Sequence, residues 1–229
     1  MRSAVLILAA GRSERMHSDI PKQFIMVQGR PLYMLSVEKY LPLVSKVVIV
    51  TNKDAVEDVK AYLKEELPGE DIPVISGGSE RFESSYLGLQ FLKETDPVDI
   101  VLIHDAARAF ITEDIIGRAL EEAEASGTAV AAVPSKDTIK IADRSGNVLD
   151  TPDRELLYAV QTPQAFSFDL ILEAYDLFMA ERRAGSGAVV TDDASVVEQF
   201  TDHKVKLIEG SYDNIKITTP EDLKMLSLS

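Results

Sequence analysis

The sequence has no cysteine among its 229 residues. Disulfide frameworks, thiolate zinc sites and cysteine nucleophiles are therefore excluded. Long apolar runs are also missing: residues 4–10 form a stretch of strand length, far short of the ~18 residues that a membrane-spanning helix needs. The charged residues 11–15 that follow are not typical of a signal-peptidase site. We therefore expect a cytoplasmic protein without a membrane partner.

Positive charge is scarce overall and concentrated at one end of the chain. Lys and Arg number 24 against 38 Asp and Glu, a net charge of −14, which argues against nucleic acid and anionic membranes as partners. Residues 1–30 nevertheless hold five basic and two acidic residues, a local charge of +3. A basic segment in an acidic protein favours one small anionic ligand.

Short apolar segments alternate with segments of helical spacing along most of the chain. Buried strands are predicted at residues 4–8, 47–50, 73–75, 100–103 and 129–133. Helices are predicted at residues 32–40, 54–66, 80–92 and 113–125, the last of them capped by Thr112. This alternation predicts an α/β fold with a mostly parallel sheet. The length favours one large domain over residues 1–229.

The alternation stops at residues 135–158, which we call the arm. Two apolar stretches, 138–141 and 148–149, flank the turn signal of residues 143–147. An isolated two-stranded hairpin is marginally stable, so we expect the arm to lie on a second subunit. After it come predicted helices at 168–182 and 193–199, predicted strands at 204–208 and 214–217, and a last helix after Pro220.

The first predicted strand runs into three small residues, Ala9, Ala10 and Gly11, and two cations, Arg15 and Lys22, follow. Small residues after a buried strand let the backbone approach a ligand, and free N–H groups there bind phosphate oxygens. The glycines of a Walker A or G-x-G-x-x-G motif are missing. The segment indicates either a polyphosphate site with two converging cations, or an ordinary loop with solvated charges.

Two further clusters follow predicted strands. Residues 77–84 contain two glycines that leave room for a planar base and end in the Ser84 hydroxyl; the structural alternative is a turn with an imperfect capping box from Ser79. Asp105 and Arg108 follow the next strand, where substrate hydroxyls or phosphates bind in such sheets, or where the two residues merely form a local ion pair. The three histidines have no metal-site spacing and are not expected to be ligands.

Polar segments also mark the C-terminal half, around Arg154, Thr162, Thr191 and Lys216. Taken alone, Thr191 is most simply a helix N-cap and Lys216 an exposed strand residue. Taken together with the preceding clusters, they form an ordered set of motifs from residue 6 to residue 223: L-A-A-G, R-M, P-K-Q, G-G-x-x-R-x-x-S, H-D-A-A-R, D-T-I-K, D-R, T-P-Q, T-D-D-A-S and D-N-I-K-I-T. This set resembles the 2-C-methyl-D-erythritol 4-phosphate cytidylyltransferases of non-mevalonate isoprenoid biosynthesis.

The resemblance implies a Rossmann-like nucleotidyltransferase fold of the glycosyltransferase-A type and a reaction of CTP with methylerythritol phosphate, with Mg²⁺ held mainly by the CTP phosphates and no confident protein ligand. It implies that Arg15 and Lys22 stabilise the transition state, that Arg154 and Lys216 hold the attacking phosphate, and that the arm crosses to a second subunit of a homodimer. The implied CTP-binding residues are Ala9, Ala10, Gly11, Gly78, Arg81 and Ser84. The implied methylerythritol-phosphate residues are Asp105, Arg108, Thr138, Arg154, Thr162, Thr191 and Lys216.

The chain departs from the family pattern at Leu8, Ser79 and Ala109, where a proline, an acid that touches the ribose and a proline are usual. Ser79 leaves the ribose contact at that position open. The alternative functions are a ribitol 5-phosphate cytidylyltransferase, a nicotinamide-dependent reductase and a non-enzymatic nucleotide sensor. Alanines at positions 10 and 107 favour methylerythritol over ribitol, and the missing glycines weigh against a reductase.

Overall fold

The core of the protein is a seven-stranded sheet with helices on both faces. The structure is a computed structural model that describes residues 1–11, 21–27, 29–185, 187–219 and 222. The strands of the sheet are β1 (Ser3–Ala9), β4 (Lys46–Thr51), β5 (Val74–Ser76), β6 (Ile100–Asp105), β7 (Thr128–Pro134), β10 (Tyr158–Ser167) and β11 (Leu207–Glu209). Two small ladders pair β2 (Met26–Val27) with β3 (Arg30–Pro31), and β8 (Ile141–Ala142) with β9 (Val148–Asp150).

The strand order of the main sheet is β11-β7-β10-β6-β1-β4-β5. Strands β1, β4, β5 and β6 pair in parallel, as do β7 and β11, while β10 is antiparallel to both β6 and β7. The predicted α/β fold with a mostly parallel sheet is therefore confirmed. All five strands predicted between residues 4 and 133 are present.

Within the described residues, six α-helices cover the sheet: α1 (Leu32–Tyr40), α2 (Val56–Glu66), α3 (Arg81–Thr95), α4 (Glu113–Ser126), α5 (Phe168–Arg183) and α6 (Asp193–Phe200). Alternate residues of β1 point to opposite faces: Val5 and Ile7 join the core under α1, α2 and α4, whereas Ala4 and Leu6 join the core under α3, α5 and α6. All four side chains are fully buried. This explains why β1 is an unbroken apolar run rather than an alternating one.

Several local predictions are confirmed and others are wrong. Thr112 caps α4, since its hydroxyl accepts from the N–H of Ile115 at 3.4 Å. The strand predicted at 204–208 is β11, displaced toward the C-terminus, and residues 214–217 form no strand. Single contacts hold that segment instead of a ladder, such as the bond from the Ile217 N–H to the Ala107 carbonyl at 2.8 Å. The helix expected after Pro220 lies outside the described residues.

The arm is a short hairpin, as predicted, and it is exposed along almost its whole length. Its turn closes where the sequence indicated: Gly146 has φ 87°, and the Asp143 carboxylate accepts from the N–H groups of Ser145 and Asn147 at 2.9 Å. The large apolar side chains of the arm face outward, including Val148 and Leu156, which are 59% and 78% exposed. No helix in the described part of the chain is long and apolar enough to span a membrane.

We expect Phe178→Ala to lower the free energy of unfolding by about 3–5 kcal/mol, because it empties a packed site in the core. Phe178 is fully buried and its ring contacts those of Phe82, Tyr175 and Phe200. The neighbouring Leu177 is 47% exposed, so Leu177→Ala should change stability by only about 0.5 kcal/mol. Urea unfolding of both variants measures the difference, and equal losses would contradict this account of the core.

Candidate active site

The carboxyl ends of parallel strands bring three of the predicted segments to one edge of the sheet. Strands β1, β5 and β6 end at Ala9, Ser76 and Asp105, and ligands of open α/β sheets bind at this edge. The first two segments touch there. A Cβ placed on Gly77 would lie 2.9 Å from the Cβ of Ala10, so only glycine lets the two backbones approach so closely.

The segment that follows β1 is held in place by Gln23, a side chain that the sequence analysis did not identify as functional. Gln23 is buried, and its Nε2 donates to the carbonyls of Ala9 at 2.6 Å and Gly11 at 3.2 Å. Gln23 belongs to a short 3-10 helix, Lys22–Phe24, so these bonds fix the backbone of Lys22 beside the end of β1. Gln23 is the last residue of the P-K-Q motif, and this motif was the sequence signal for its role. Arg15 and the side chain of Lys22 lie outside the described residues.

The second segment begins α3 with a capping box one residue later than predicted. Glu80 is the N-cap and Glu83 its partner, replacing the box expected from Ser79 and Phe82. Ser79 still takes part, because its hydroxyl and N–H both donate to Glu83 Oε2 at 2.7 Å, and its hydroxyl bond lowers the pKa of Glu83. Ser84 accepts from the Gly78 N–H at 3.2 Å. These hydrogen bonds hold the loop in place and keep the Gly78 backbone next to the Ser84 hydroxyl.

Asp105 is the centre of the third segment and joins two cations from distant parts of the chain. Its Oδ1 lies 2.9 Å from Arg81 Nε and its Oδ2 lies 2.5 Å from Lys216 Nζ. Burial alone would raise the pKa of this carboxyl, but Arg81 and Lys216 hold it well below its ordinary range. Asp105 is therefore ionised at neutral pH. Lys216 is half-buried and lies in this ion-pair chain, not on the exposed strand that its position alone suggested.

Arg81 is shared between Asp105 and a second buried carboxylate. Its Nη2 lies 2.7 Å from Oδ2 of Asp193, which is fully buried and also accepts from the Tyr175 hydroxyl at 2.6 Å. Asp193 was not predicted as a site residue, although it stands in the T-D-D-A-S motif. Tyr175, Asp193, Arg81, Asp105 and Lys216 thus form one continuous chain of polar contacts across the carboxyl edge.

The sequence left open whether Arg108 forms a local ion pair with Asp105. In the structure Asp105 pairs with Arg81 and Lys216 instead. The Arg108 guanidinium donates to the carbonyls of Asn214 at 2.7 Å and Val160 at 3.3 Å. Burial lowers its pKa, but a guanidinium stays protonated at neutral pH. Arg108 therefore ties the end of β6 to the segment that carries Lys216.

Thr162 has its hydroxyl direction fixed by His104. Nε2 of His104 lies 3.3 Å from both the Ser36 hydroxyl, which can donate or accept, and the Arg108 carbonyl, which can only accept. The carbonyl therefore assigns the proton to Nε2, and Nδ1 accepts from the Thr162 hydroxyl at 3.1 Å. The same hydroxyl accepts from the Asp105 N–H at 3.1 Å. Thr162 is left with one oxygen lone pair, which suits a ligand hydroxyl. Burial lowers the pKa of His104 to about 3, so it stays neutral.

Comparisons with known proteins identify the family. The sequence profile of the family described as IspD, 2-C-methyl-D-erythritol 4-phosphate cytidylyltransferase, matches residues 3–227. The chain belongs to this family. Relatives of that name from Lachnospira eligens and Alkaliphilus oremlandii are 40% and 41% identical, over 99% and 97% of this chain and 98% and 92% of theirs. The solved 4-diphosphocytidyl-2C-methyl-D-erythritol synthase of Anaerococcus prevotii superposes with a TM-score of 0.84 at 32% identity, over 99% of this chain and 97% of the other.

As a member of this family of nucleotidyltransferases, the chain brings most of its expected site residues to one edge. Ala9, Ala10 and Gly11 lie at the end of β1, Gly78 follows β5, and Arg81 and Ser84 are in the first turn of α3. Asp105, Arg108, Thr162 and Lys216 form the contacts described above. Thr191 is not an N-cap, since Asp192 caps α6. It is exposed and lines a cavity of about 400 Å³ together with Arg81.

Thr138 and Arg154 lie on the exposed arm, and no hydrogen bond or ion pair among the described residues joins their side chains to the rest of the site. Magnesium is implied by the family. Within the described parts of the chain, no three His, Asp or Glu side chains are placed to hold a metal ion, and the Asp105 carboxylate is occupied by Arg81 and Lys216. The described residues therefore do not form a protein-only magnesium site.

We expect His104→Gln to remove one component of the acid sensitivity of folding. The pKa of His104 is about 6.5 unfolded and about 3 folded, so unfolding binds one proton between these values and stability falls as pH falls. The slope is about 1.4 kcal/mol per pH unit. Urea unfolding between about pH 7 and pH 4.5 should show the variant losing stability less steeply than wild type. Parallel slopes would mean that His104 is protonated in the folded protein.

Proposed function

We propose that this chain joins CTP and 2-C-methyl-D-erythritol 4-phosphate to give 4-diphosphocytidyl-2-C-methyl-D-erythritol and pyrophosphate. The observation that carries the proposal is Asp105, an ionised carboxylate set between Arg81 and Lys216 at the carboxyl edge of a sheet of this family. We further propose that residues 1–229 act as a single domain and that the enzyme works in the cytoplasm, where CTP is available.

The nucleotide half of the site is formed by the ends of β1 and β5. Ala9, Ala10 and Gly11 offer backbone N–H groups to the triphosphate, in the manner of glycine-rich anion sites. A Cβ on Gly77 or Gly78 would clash with Ala10, Ser84 or Glu83, so the two glycines let the two loops pack closely against each other and against the start of α3. Arg81 begins that helix beside them.

The acceptor half is formed by β6, β10 and the two segments that carry Thr191 and Lys216. Asp105 is ionised and accepts polyol hydroxyls, and Thr162 adds an acceptor whose direction His104 fixes. Lys216, with Arg108 nearby and Arg154 from an arm, supplies positive charge for the phosphate. Such a site selects a phosphorylated polyol, since hydroxyls and phosphate each find a group of the opposite character.

The mechanism follows from charge. A phosphate monoester is already an anion at neutral pH, so one of its oxygens attacks the α-phosphorus of CTP without a general base, and the bond to the pyrophosphate oxygen breaks. Repulsion between the two anions and the charge that develops on pyrophosphate oppose this step. Arg15 and Lys22 offset both, so catalysis consists chiefly of positioning and electrostatic stabilisation. Magnesium, when bound, neutralises part of the phosphate charge, and it is held through the CTP phosphates and water.

The arm supports a homodimer. It presents outward-facing apolar side chains such as Ile141, Val148 and Leu149, which are 48%, 59% and 67% exposed, and a hairpin of this size is only marginally stable alone. A second copy that covers these side chains would remove them from water. It would also bring Thr138 and Arg154 of each chain to the site of the other.

The ribitol 5-phosphate alternative has no support in the comparisons described above, whose relatives bear the methylerythritol name. The test is pyrophosphate release from CTP and Mg²⁺ with each polyol phosphate in turn. Release with methylerythritol phosphate and little with ribitol 5-phosphate is the expected result. A preference for ribitol 5-phosphate would overturn the proposal.

We expect Lys22→Ala to lower kcat steeply while CTP affinity changes little, because its main contact forms with charge that develops in the transition state. Loss of one such group costs about 3–4 kcal/mol, or roughly 10²–10³ in rate. Lys64→Ala, in the last turn of α2, is the control and should match wild type. Steady-state kinetics and CTP titration separate the two parameters; weaker CTP binding with normal kcat would assign Lys22 to the ground state.

We expect inactive Lys22→Ala and Arg154→Ala proteins to restore activity to one another. If each site combines Lys22 of one chain with Arg154 of the other, a mixed dimer has one site with both defects and one with none. Random reassortment makes about half of the dimers mixed, so about a quarter of wild-type activity should return after co-refolding. A mixture that stays inactive despite demonstrated subunit exchange would place Arg154 in its own chain's site.

A further inference from the structure

Two buried glutamines of β10, Gln161 and Gln164, lie between the segments that carry the acceptor-binding side chains. They are 6% and 1% exposed, and they flank Thr162 and Pro163. The pairing of β10 with β7 shifts register between Val160 and Gln164. Around this irregularity the two amides bond to loops outside the sheet, although neither is among the expected substrate ligands.

Gln161 binds the segment that leads to Lys216. Its Nε2 donates to the Ser211 carbonyl at 2.7 Å, and its Oε1 accepts from the Ser211 N–H and from Asn214 Nδ2, both at 3.3 Å. Asn214 is fully buried and donates also to the Thr162 carbonyl at 2.9 Å. Gly210 leaves the necessary room, since a Cβ there would clash with Gln161 Oε1. One side chain thus satisfies both backbone groups of Ser211.

Gln164 binds the segment that carries Thr191. Its Nε2 donates to Asp192 Oδ2 at 2.8 Å, and its Oε1 accepts from the Ala194 N–H at 2.9 Å. These two bonds hold the residues on either side of Asp193, whose carboxylate pairs with Arg81. Gln164 therefore fixes the turn from which Thr191 and Asp193 both project.

Glutamine suits both positions for the same reason. Each buried amide must donate to one group and accept from another, and it must do so without a charge that the interior would leave uncompensated. A glutamate keeps the shape but loses the donor, and at position 164 it would face the Asp192 carboxylate. A buried polar group without its hydrogen bond lowers the free energy of unfolding by more than the made hydrogen bond contributes to it.

We propose that Gln161 and Gln164 are positioning residues that set how tightly the enzyme binds its phosphorylated acceptor, Gln161 through Lys216 and Gln164 through Thr191 and the Asp193–Arg81 pair. The inference rests on the proposed function. It predicts two different kinetic effects. Loss of the Gln161 amide should raise only the KM for methylerythritol phosphate. Loss of the Gln164 amide should raise the KM for methylerythritol phosphate and, through Arg81, the KM for CTP.

The test measures KM for both substrates in Gln161→Glu and Gln164→Glu. Gln161→Glu should raise KM for methylerythritol phosphate by roughly tenfold and leave that for CTP unchanged, while Gln164→Glu should raise both by a similar factor. The control is Gln90→Glu, whose amide donates to Asp176 Oδ1 at 3.1 Å. This pair lies outside the proposed contacts, and the variant should keep wild-type KM values.

A pH series separates positioning from a general loss of stability. In Gln164→Glu, the introduced carboxylate would lie against the Asp192 carboxylate and bind a proton as pH falls, because two adjacent carboxylates cannot both ionise easily. Asp193 and Arg81 nearby form an ion pair. Glu198, whose pKa is raised by burial and by the charge of Asp192, is a further carboxylate that favours the same proton uptake. The KM ratio of Gln164→Glu to wild type should therefore approach one between about pH 8 and pH 6, while Gln164→Met stays high throughout.

The outcomes are distinct. A wild-type protein that releases no pyrophosphate from CTP and methylerythritol phosphate overturns the proposed function. An active wild type whose glutamate variants keep both KM values, or lose only thermal stability, overturns the inference. If a glutamate variant does not fold, the neutral Gln161→Met and Gln164→Met variants carry the same KM comparison.

Discussion

The buried carboxylate of Asp105 is the interaction on which the site depends. It ends β6, where the strand leaves the sheet, and it draws Arg81 from α3 and Lys216 from a segment more than a hundred residues later. A buried carboxylate with two cations and a partner carboxylate, Asp193, is close to neutral as a group. Such a group is costly to break, because removing one member leaves a charge buried without compensation.

This neutrality limits what the group can do for the substrates. Arg81 and Lys216 already balance Asp105 and Asp193, so the group as a whole brings no net positive charge to a phosphate, although the Lys216 ammonium contacts it in the proposed site. A triphosphate and a phosphate monoester together bring several negative charges. In the proposed function, additional positive charge comes from the basic N-terminal segment and from the arm, and the concentration of basic residues in residues 1–30 of an acidic protein is consistent with that proposal.

The sequence predicted the fold well because its signals are local. An apolar run such as residues 4–8 and a helical spacing such as residues 32–40 need no distant partner to be recognised. Residues 214–217 misled because Ile215 and Ile217 alternate with polar residues as in a strand. In the structure Asn214 and Ile217 are the buried residues, and they pack against loops rather than in a ladder. The capping box of α3 was misplaced by one residue, since Glu80 and Ser79 can both cap a helix.

The site was predictable only in part, for a related reason. Motif resemblance identified Asp105, Arg81 and Lys216 but could not show that they contact one another, because their closeness is a property of the sheet order. Gln23, Asp193, Gln161 and Gln164 were missed as functional residues, although each stands inside or beside a motif. None is an expected substrate ligand: Gln23 and Asp193 contact such a residue directly, whereas Gln161 and Gln164 bond to its neighbours in the chain. In this fold the charged side chains meet at the carboxyl ends of the strands. Buried amides and carboxylates behind these strand ends hold the charged side chains in position.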